Sequence, residues 1–283
     1  MGVVNVTPDS FSDGVRHWTA DDAVRRAGAL LEAGADLIDI GGESAVTNRP
    51  AVSSEEEIER VVPVVARVAS ELGGLVSVDT HKPPVAEAAV AAGAVMVNDV
   101  SGLRDPGLAT ICARTGAALV VMHTRVAPKR RLADPEYEDV VADVEGFLAE
   151  RATTARGLGV GPEQIVVDPG PDFAKTPAQT VEVLRSLPCL HALGHPVLLA
   201  VSRKDFIGAI TGRRPGERLA GTLAALGAGV DAGSHILRVH DVTAASDYLA
   251  VRAVLRGERR VPAGLRLADA LRWERQGTGR QDR

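Results

Sequence analysis

Short apolar runs return along the chain, each ending in a polar or glycine-containing cluster. They fall at 2–6 (GVVNV), 35–40 (ADLIDI), 75–79 (LVSVD), 94–98 (AVMVN), 117–122 (AALVVM), 164–168 (QIVVD), 196–201 (PVLLAV) and 235–239 (HILRV), eight in all. None alternates cleanly between apolar and polar, as suits strands buried on both faces of a parallel sheet. Between them run Ala-, Leu- and Glu-rich stretches with helical spacing. Ala23, Ala27, Leu30 and Leu31 precede Gly34, and Glu55 to Leu72 and Val140 to Leu158 repeat the pattern. Eight strand–helix alternations predict an α/β fold, a (β/α)8 TIM barrel of about 250 residues. The alternative is an open doubly wound sheet, but no G-x-G-x-x-G follows the first strand. The expectation is one barrel domain over residues 1–256.

From about residue 257 the character changes. Arg256, Arg259, Arg260, Arg266, Arg272, Arg275, Arg280 and Arg283 crowd a segment with few aliphatics. One short helix over Leu265–Trp273 is expected, then a mobile, solvated tail. Composition adds exclusions. With 45% hydrophobic and 24% charged residues and a net charge of −5, the chain suits neither disorder nor general nucleic-acid binding. No apolar run approaches the roughly 18 residues of a membrane span. Cys112 and Cys189 have no paired spacing and read as small buried residues. Met1 leads straight into the first strand with no signal peptide, so a cytoplasmic protein is expected.

Barrel enzymes gather their chemistry at the C-terminal ends of the strands. Here those ends carry Asn5 with Thr7, Asp39 with Glu43 and Ser44, Asp79, Asn98 with Asp99, Met122 with His123, Asp168, Ser202-Arg203-Lys204, and Arg238 with His240. Any one could simply cap a helix. Asp39, inside its strand, reads as structural, and His123 reads equally as a core histidine. Together the set reads as a site. Asp79, Asn98 and Asp168 match the edge of a flat heterocycle with amino, ring N–H and carbonyl groups. Lys204 and Arg203 offer donors at one wall. Lys204 also admits a Schiff-base reading, which its arginine neighbour disfavours. Arg238 and His240 suit a phosphate near strand 8. Asn5 offers one neutral oxygen to a magnesium ion that takes its other ligands from phosphate and water. Phe173 is read as a wall for a second, aromatic substrate. The loops 7–14 (TPDSFSDG), with Phe11, and 41–50 (GGESAVTNRP) are candidate lids.

At these residues the sequence resembles the dihydropteroate synthase family over nearly all of 1–256. The motifs are MGVVNVTPDSFSDG (1–14), DIGGES (39–44), SVDT (77–80), NDVSG (98–102), DPG (168–170), SRK (202–204) and RVHDV (238–242), in order. The resemblance implies condensation of 6-hydroxymethyl-7,8-dihydropterin diphosphate with 4-aminobenzoate to 7,8-dihydropteroate and diphosphate. It implies that Asp79, Asn98, Asp168 and Lys204 bind the pterin, that Asn5 ligates Mg2+, and that Arg238 and His240 hold the diphosphate. Ser202 and Phe173 would lie beside the aminobenzoate, and Met122 and Arg49 complete the candidate substrate contacts. Asp79, Lys204, Arg238 and His240 are the candidate catalytic residues. A homodimer built through barrel helices and sensitivity to sulfonamides are further implications.

The chain departs from the family pattern in places. Ala45 to Pro50 (AVTNRP) stands where the family continues Thr-Arg-Pro-Gly after the serine, so Thr47, Arg49 and Pro50 would substitute from shifted positions. Asp172 and Ala174 flank Phe173 in a turn that is Gly-rich in the family, and Asp205 follows Lys204 where serine is common. A divergent pterin-binding paralogue is therefore the alternative reading. A pterin-dependent methyltransferase barrel is a more distant one, since it would not need the Arg238–His240 end.

Overall fold

The computed structural model describes residues 1–7, 19–44, 50–130, 132 and 134–272. Strands β1 (Gly2–Asn5), β2 (Leu37–Gly41), β3 (Leu75–Asp79), β4 (Met96–Asp99), β5 (Ala118–Met122) and β6 (Ile165–Asp168) pair in parallel in chain order. Strands β7 (Leu198–Leu199) and β8 (Ile236–Leu237) pair with each other. Single parallel bridges then join Val167 to Val197 and Gly2 to Val239, which closes the ring. The barrel expectation holds and the open sheet does not.

The last two strands are shorter than the apolar runs that predict them. Pro196 has no N–H to give the ladder. The carbonyl of Val197 also takes both the His235 and Ile236 amides, at 2.9 and 3.1 Å, so the two edges run out of step.

Helices α1 (Ala20–Glu32), α2 (Ser54–Glu71), α3 (Pro83–Ala91), α4 (Gly107–Thr115), α5 (Val140–Gly157) and α6 (Pro177–Arg185) cover the first six strands. After β7 come a short α7 (Asp205–Thr211) and then α8 (Leu219–Asp231), and α9 (Val242–Leu255) follows β8. Helix α2 shows why they form. The Ser53 hydroxyl accepts from the Glu56 amide at 3.2 Å, acidic residues fill the first turn, and Val61, Val64, Val65 and Val68 are fully buried on one face.

Inside the barrel, Met96, Val120, Val166 and Leu198 form an apolar floor with Met1, Leu37 and Ile236. Two residues further along the same strands come Asn98, Met122, Asp168 and Arg238. Strand periodicity of two therefore stacks a polar layer directly on the apolar one. Past α9 the chain stays exposed to residue 272. The helix expected at 265–273 does not form over its described residues, 265–272. A single 3-10 turn at Asp269–Leu271 takes its place, because Leu265, Leu267 and Leu271 find no surface to bury against. No helix among the described residues is long and apolar enough to cross a membrane.

Candidate active site

The polar layer centres on Arg238. Its Nε lies 2.6 Å from Asp39 Oδ2 and a terminal nitrogen lies 2.8 Å from Asp79 Oδ2. Asp39 Oδ2 also accepts from Asn98 Nδ2 at 3.1 Å. Strand register puts Gly41, Asp79 and Asn98 side by side across β2, β3 and β4. Asp39 is fully buried and belongs to this network, so its role as a structural partner of the site is direct. Burial pushes the Asp79 carboxyl well above the usual range. Arg238 pulls it back down, and Asp39 adds to the rise.

Three buried atoms in this throat have no partner among the described residues: Asn98 Oδ1, Asp39 Oδ1 and Ser77 Oγ. A buried polar atom left without a hydrogen bond costs about 1–3 kcal/mol. Their clustering at the inner end of three adjacent strands marks a place for a hydrogen-bonding ligand. Asp168 closes the far side. Its Oδ1 accepts from the Gly170 amide at 2.7 Å, and burial raises its carboxyl above the usual range.

Above this layer, Lys204 Nζ sits 4.2 Å from the centroid of the Phe173 ring. Burial lowers its ammonium, while Asp172 and Asp168 pull the other way. Phe173 lines a cavity of about 550 Å³ at the barrel mouth together with Ser44, Asp79, Thr80 and Lys175. Ser202 Oγ lies 2.9 Å from His240 Nδ1 and accepts from the His240 amide at 3.2 Å, tying the ends of β7 and β8. Burial, with Arg238 and Arg203 adding, drives His240 down to about 4, so the ring is neutral at pH 7.

The remaining candidates sort as follows. Asn5 ends β1, and Met122 is buried facing the barrel interior. Arg203 does not join Lys204 at the mouth. Its backbone is left-handed (φ 59°), and its guanidinium turns onto Asp241 with bonds of 3.0 and 2.7 Å. His123 is the core histidine. It is fully buried, with Nε2 2.9 Å from Asp143 and Nδ1 2.7 Å from Lys175 Nζ. Asp99 caps a turn, accepting from the Ser101 and Leu103 amides at 2.7 and 2.6 Å. Phe11, Arg49, nearly all of the first candidate lid and half of the second lie outside the described residues.

Two charge clusters at the mouth escaped the sequence reading. Lys82 Nζ donates to Glu43 at 2.8 Å, Glu57 at 2.6 Å and the Val52 carbonyl at 2.6 Å, pinning the chain on either side of residues 45–49. The one sequence signal was Glu57 at the apolar-face position four before Val61. Lys175 donates to His123 and to the Gly170 and Phe173 carbonyls at 3.0 and 3.2 Å, and nothing local announced it.

A closed barrel whose mouth offers amide and carboxylate oxygens around an arginine below, and a lysine against an aromatic wall above, defines an enzyme that holds a flat polar heterocycle. Residues 1–240 match the family model described as pterin binding enzyme. The chain is 44% identical over 243 residues to the dihydropteroate synthase of Bacillus subtilis, covering 86% of this chain and 83% of that one. It is 46% identical to Xanthomonas albilineans dihydropteroate synthase solved with 4-aminobenzoic acid, with a TM-score of 0.85 and 93% of each chain covered. The same enzyme with 7,8-dihydropteroate gives a TM-score of 0.82, covering 93% of this chain and 94% of that one. The chain belongs to the dihydropteroate synthase family and is a transferase.

Proposed function

We propose that the chain condenses 6-hydroxymethyl-7,8-dihydropterin diphosphate with 4-aminobenzoate, giving 7,8-dihydropteroate and diphosphate. The observation that carries this reading is the set of orphaned buried oxygens in the throat. Asn98 Oδ1 and the Asp168 carboxylate are acceptors for the amino and ring N–H groups of a pterin, and Lys204 is a donor for its acceptor edge. The amine then attacks the exocyclic methylene. The carbon–oxygen bond breaks with its electron pair leaving on the diphosphate, the carbon–nitrogen bond forms, and the amine nitrogen gives one proton to water or to the leaving group. Positive charge grows on the methylene carbon, and the Asp79 carboxylate stabilises it. No general base is required, because an arylamine is already a neutral nucleophile.

Arg238 and His240 hold the diphosphate in this reading, and Arg238 brings the fixed positive charge. His240 is neutral in the free protein, and an anion beside it would favour the protonated ring. Asn5 would hold a Mg2+ ion. Gly41 leaves the space between Asn5 Oδ1 and Asp79 open, with both within 4 Å of where a Cβ would stand, and an all-oxygen donor set suits magnesium. Such an ion would take its remaining ligands from substrate phosphates and water. When bound, Mg2+ neutralises charge on the leaving group. Exposed apolar residues on α7, α8 and α9 (Ile210, Leu219, Val251 and Leu255) support a homodimer through barrel helices. Sulfonamides, as aminobenzoate analogues, are expected to compete at the Phe173 wall, and a cytoplasmic location completes the reading.

The test is diphosphate release from the pterin diphosphate with Mg2+, with and without 4-aminobenzoate. Aminobenzoate-dependent release with dihydropteroate formation is expected. Tight pterin binding without turnover would overturn the reading in favour of a binding paralogue. Asp168→Asn is expected to weaken pterin diphosphate binding about tenfold, near 1.4 kcal/mol, as one charged acceptor is lost. Calorimetry reads this directly, and unchanged affinity would remove Asp168 from the pocket.

A further inference from the structure

We infer that Asp172 is a positioning residue for the condensation, a latch that fixes Phe173 and Lys204 against each other. The inference rests on the proposed reaction and deepens it. Five non-glycine residues have left-handed backbone among the described residues, and three of them, Asp172 (φ 64°), Ala174 (φ 48°) and Arg203 (φ 59°), flank Phe173 and Lys204. Such conformations are uncommon outside glycine and persist where surrounding contacts over-determine them.

Here the contacts are identifiable. The Tyr137 hydroxyl donates to the Ala174 carbonyl at 2.7 Å, and Lys175 takes the Gly170 and Phe173 carbonyls. Arg203 is held by Asp241. Asp172 joins the two loops. Its Oδ2 accepts from the Asp205 amide at 2.5 Å and the Phe206 amide at 3.2 Å, immediately after Lys204. Its Oδ1 accepts from the Thr180 hydroxyl at 3.2 Å, and its own amide donates back to that hydroxyl at 3.1 Å. Thr180 is fully buried on α6, so the latch is anchored in the core. One carboxylate thus ties the chain before Phe173 to the chain after Lys204, and the 4.2 Å ring–ammonium contact lies between the two ties.

Asp172→Gly removes the latch and relieves the strain, whereas Asp172→Asn keeps an acceptor for the two amides and tolerates the left-handed backbone. In the 283-residue chain assayed with Mg2+, Asp172→Gly is expected to raise KM for 4-aminobenzoate about tenfold. It should change kcat less than threefold and weaken pterin diphosphate binding less than the aminobenzoate KM, by no more than about threefold, because Lys204 is the one pterin contact the latch holds while Asn98, Asp79 and Asp168 sit on strands. Asp172→Asn is expected within threefold of wild type on all three. Hydrogen exchange at the Asp205 and Phe206 amides should quicken at least tenfold in the glycine variant and not in the asparagine one. Unchanged aminobenzoate KM in Asp172→Gly, equal impairment in Asp172→Asn, or unchanged exchange would each overturn the inference. A wild-type chain that forms no dihydropteroate would instead overturn the reaction, and the exchange measurement would still decide whether the latch exists.

Discussion

Arg238→Met is expected to destabilise the fold by about 3–5 kcal/mol, the usual consequence of removing one partner from a buried ionic group. Arg238 touches two carboxylates at once, and Asp39 is fully buried while Asp79 is about one-fifth exposed. With the guanidinium gone, two carboxylates face each other across adjacent strands with only Asn98 Nδ2 to compensate. Arg238→Lys should recover only part of the loss, because a compact ammonium cannot present two planar N–H donors to two acids. Adding Asp39→Asn to Arg238→Met should restore about 1–3 kcal/mol by removing one stranded charge, a coupling a double-mutant cycle reads directly. The sign with pH is also fixed. Asp79 is already raised by burial, and loss of Arg238 raises it further, so acid neutralises it and the deficit narrows as pH falls. Urea unfolding at two pH values measures both effects. A variant within 1 kcal/mol of wild type would show that the throat is not held by this arginine.

That network also shows what the sequence can and cannot announce. The barrel was legible because strands buried on both faces read as continuous apolar runs, and the strand ends were legible because chemistry collects there. Asn98 and Asp168 could be picked out since each ends its run one inward position beyond a floor residue. Asp39 was harder, because its inward orientation is settled by Arg238, 199 residues away in the chain. Arg203 was misplaced for a local reason. A left-handed turn sends two neighbouring cations in opposite directions, and no periodicity encodes that. Lys82 and Lys175 gain their partners across loops, from Glu57 and His123, which sit 25 and 52 residues away. Side-chain networks closed by topology leave little trace in local pattern, whereas burial leaves a strong one.

His123 makes the same distinction measurable. Desolvation, with Lys175 adding and Asp143 opposing, lowers it from 6.5 to about 4. As pH falls below 6.5 the unfolded chain takes up a proton that the folded chain refuses, so the unfolded state binds more protons and stability declines with acid. Between pH 6.5 and pH 4.5 this one ring accounts for about 2 kcal/mol. Lys175, itself lowered to about 7 by burial, is predominantly protonated in both states over most of that window and contributes little to the slope. The raised carboxyls of Asp79, Asp99 and Asp168 run the other way, since the folded state keeps their protons to higher pH. The wild-type curve is therefore a sum of opposing slopes, and the histidine is isolated by difference. His123→Gln should be less stable than wild type at pH 6.5, where it loses packing against Phe147 and the Asp143–Lys175 bridge. That deficit should shrink by about 2 kcal/mol at pH 4.5. A deficit that stays constant with pH would mean that His123 is charged in the folded protein, and the bridge would then place two cations 2.7 Å apart. Such an arrangement in a buried site is untenable without a further anion, so a flat difference would overturn the assignment of His123 as the neutral member of the cluster that holds the Phe173 loop.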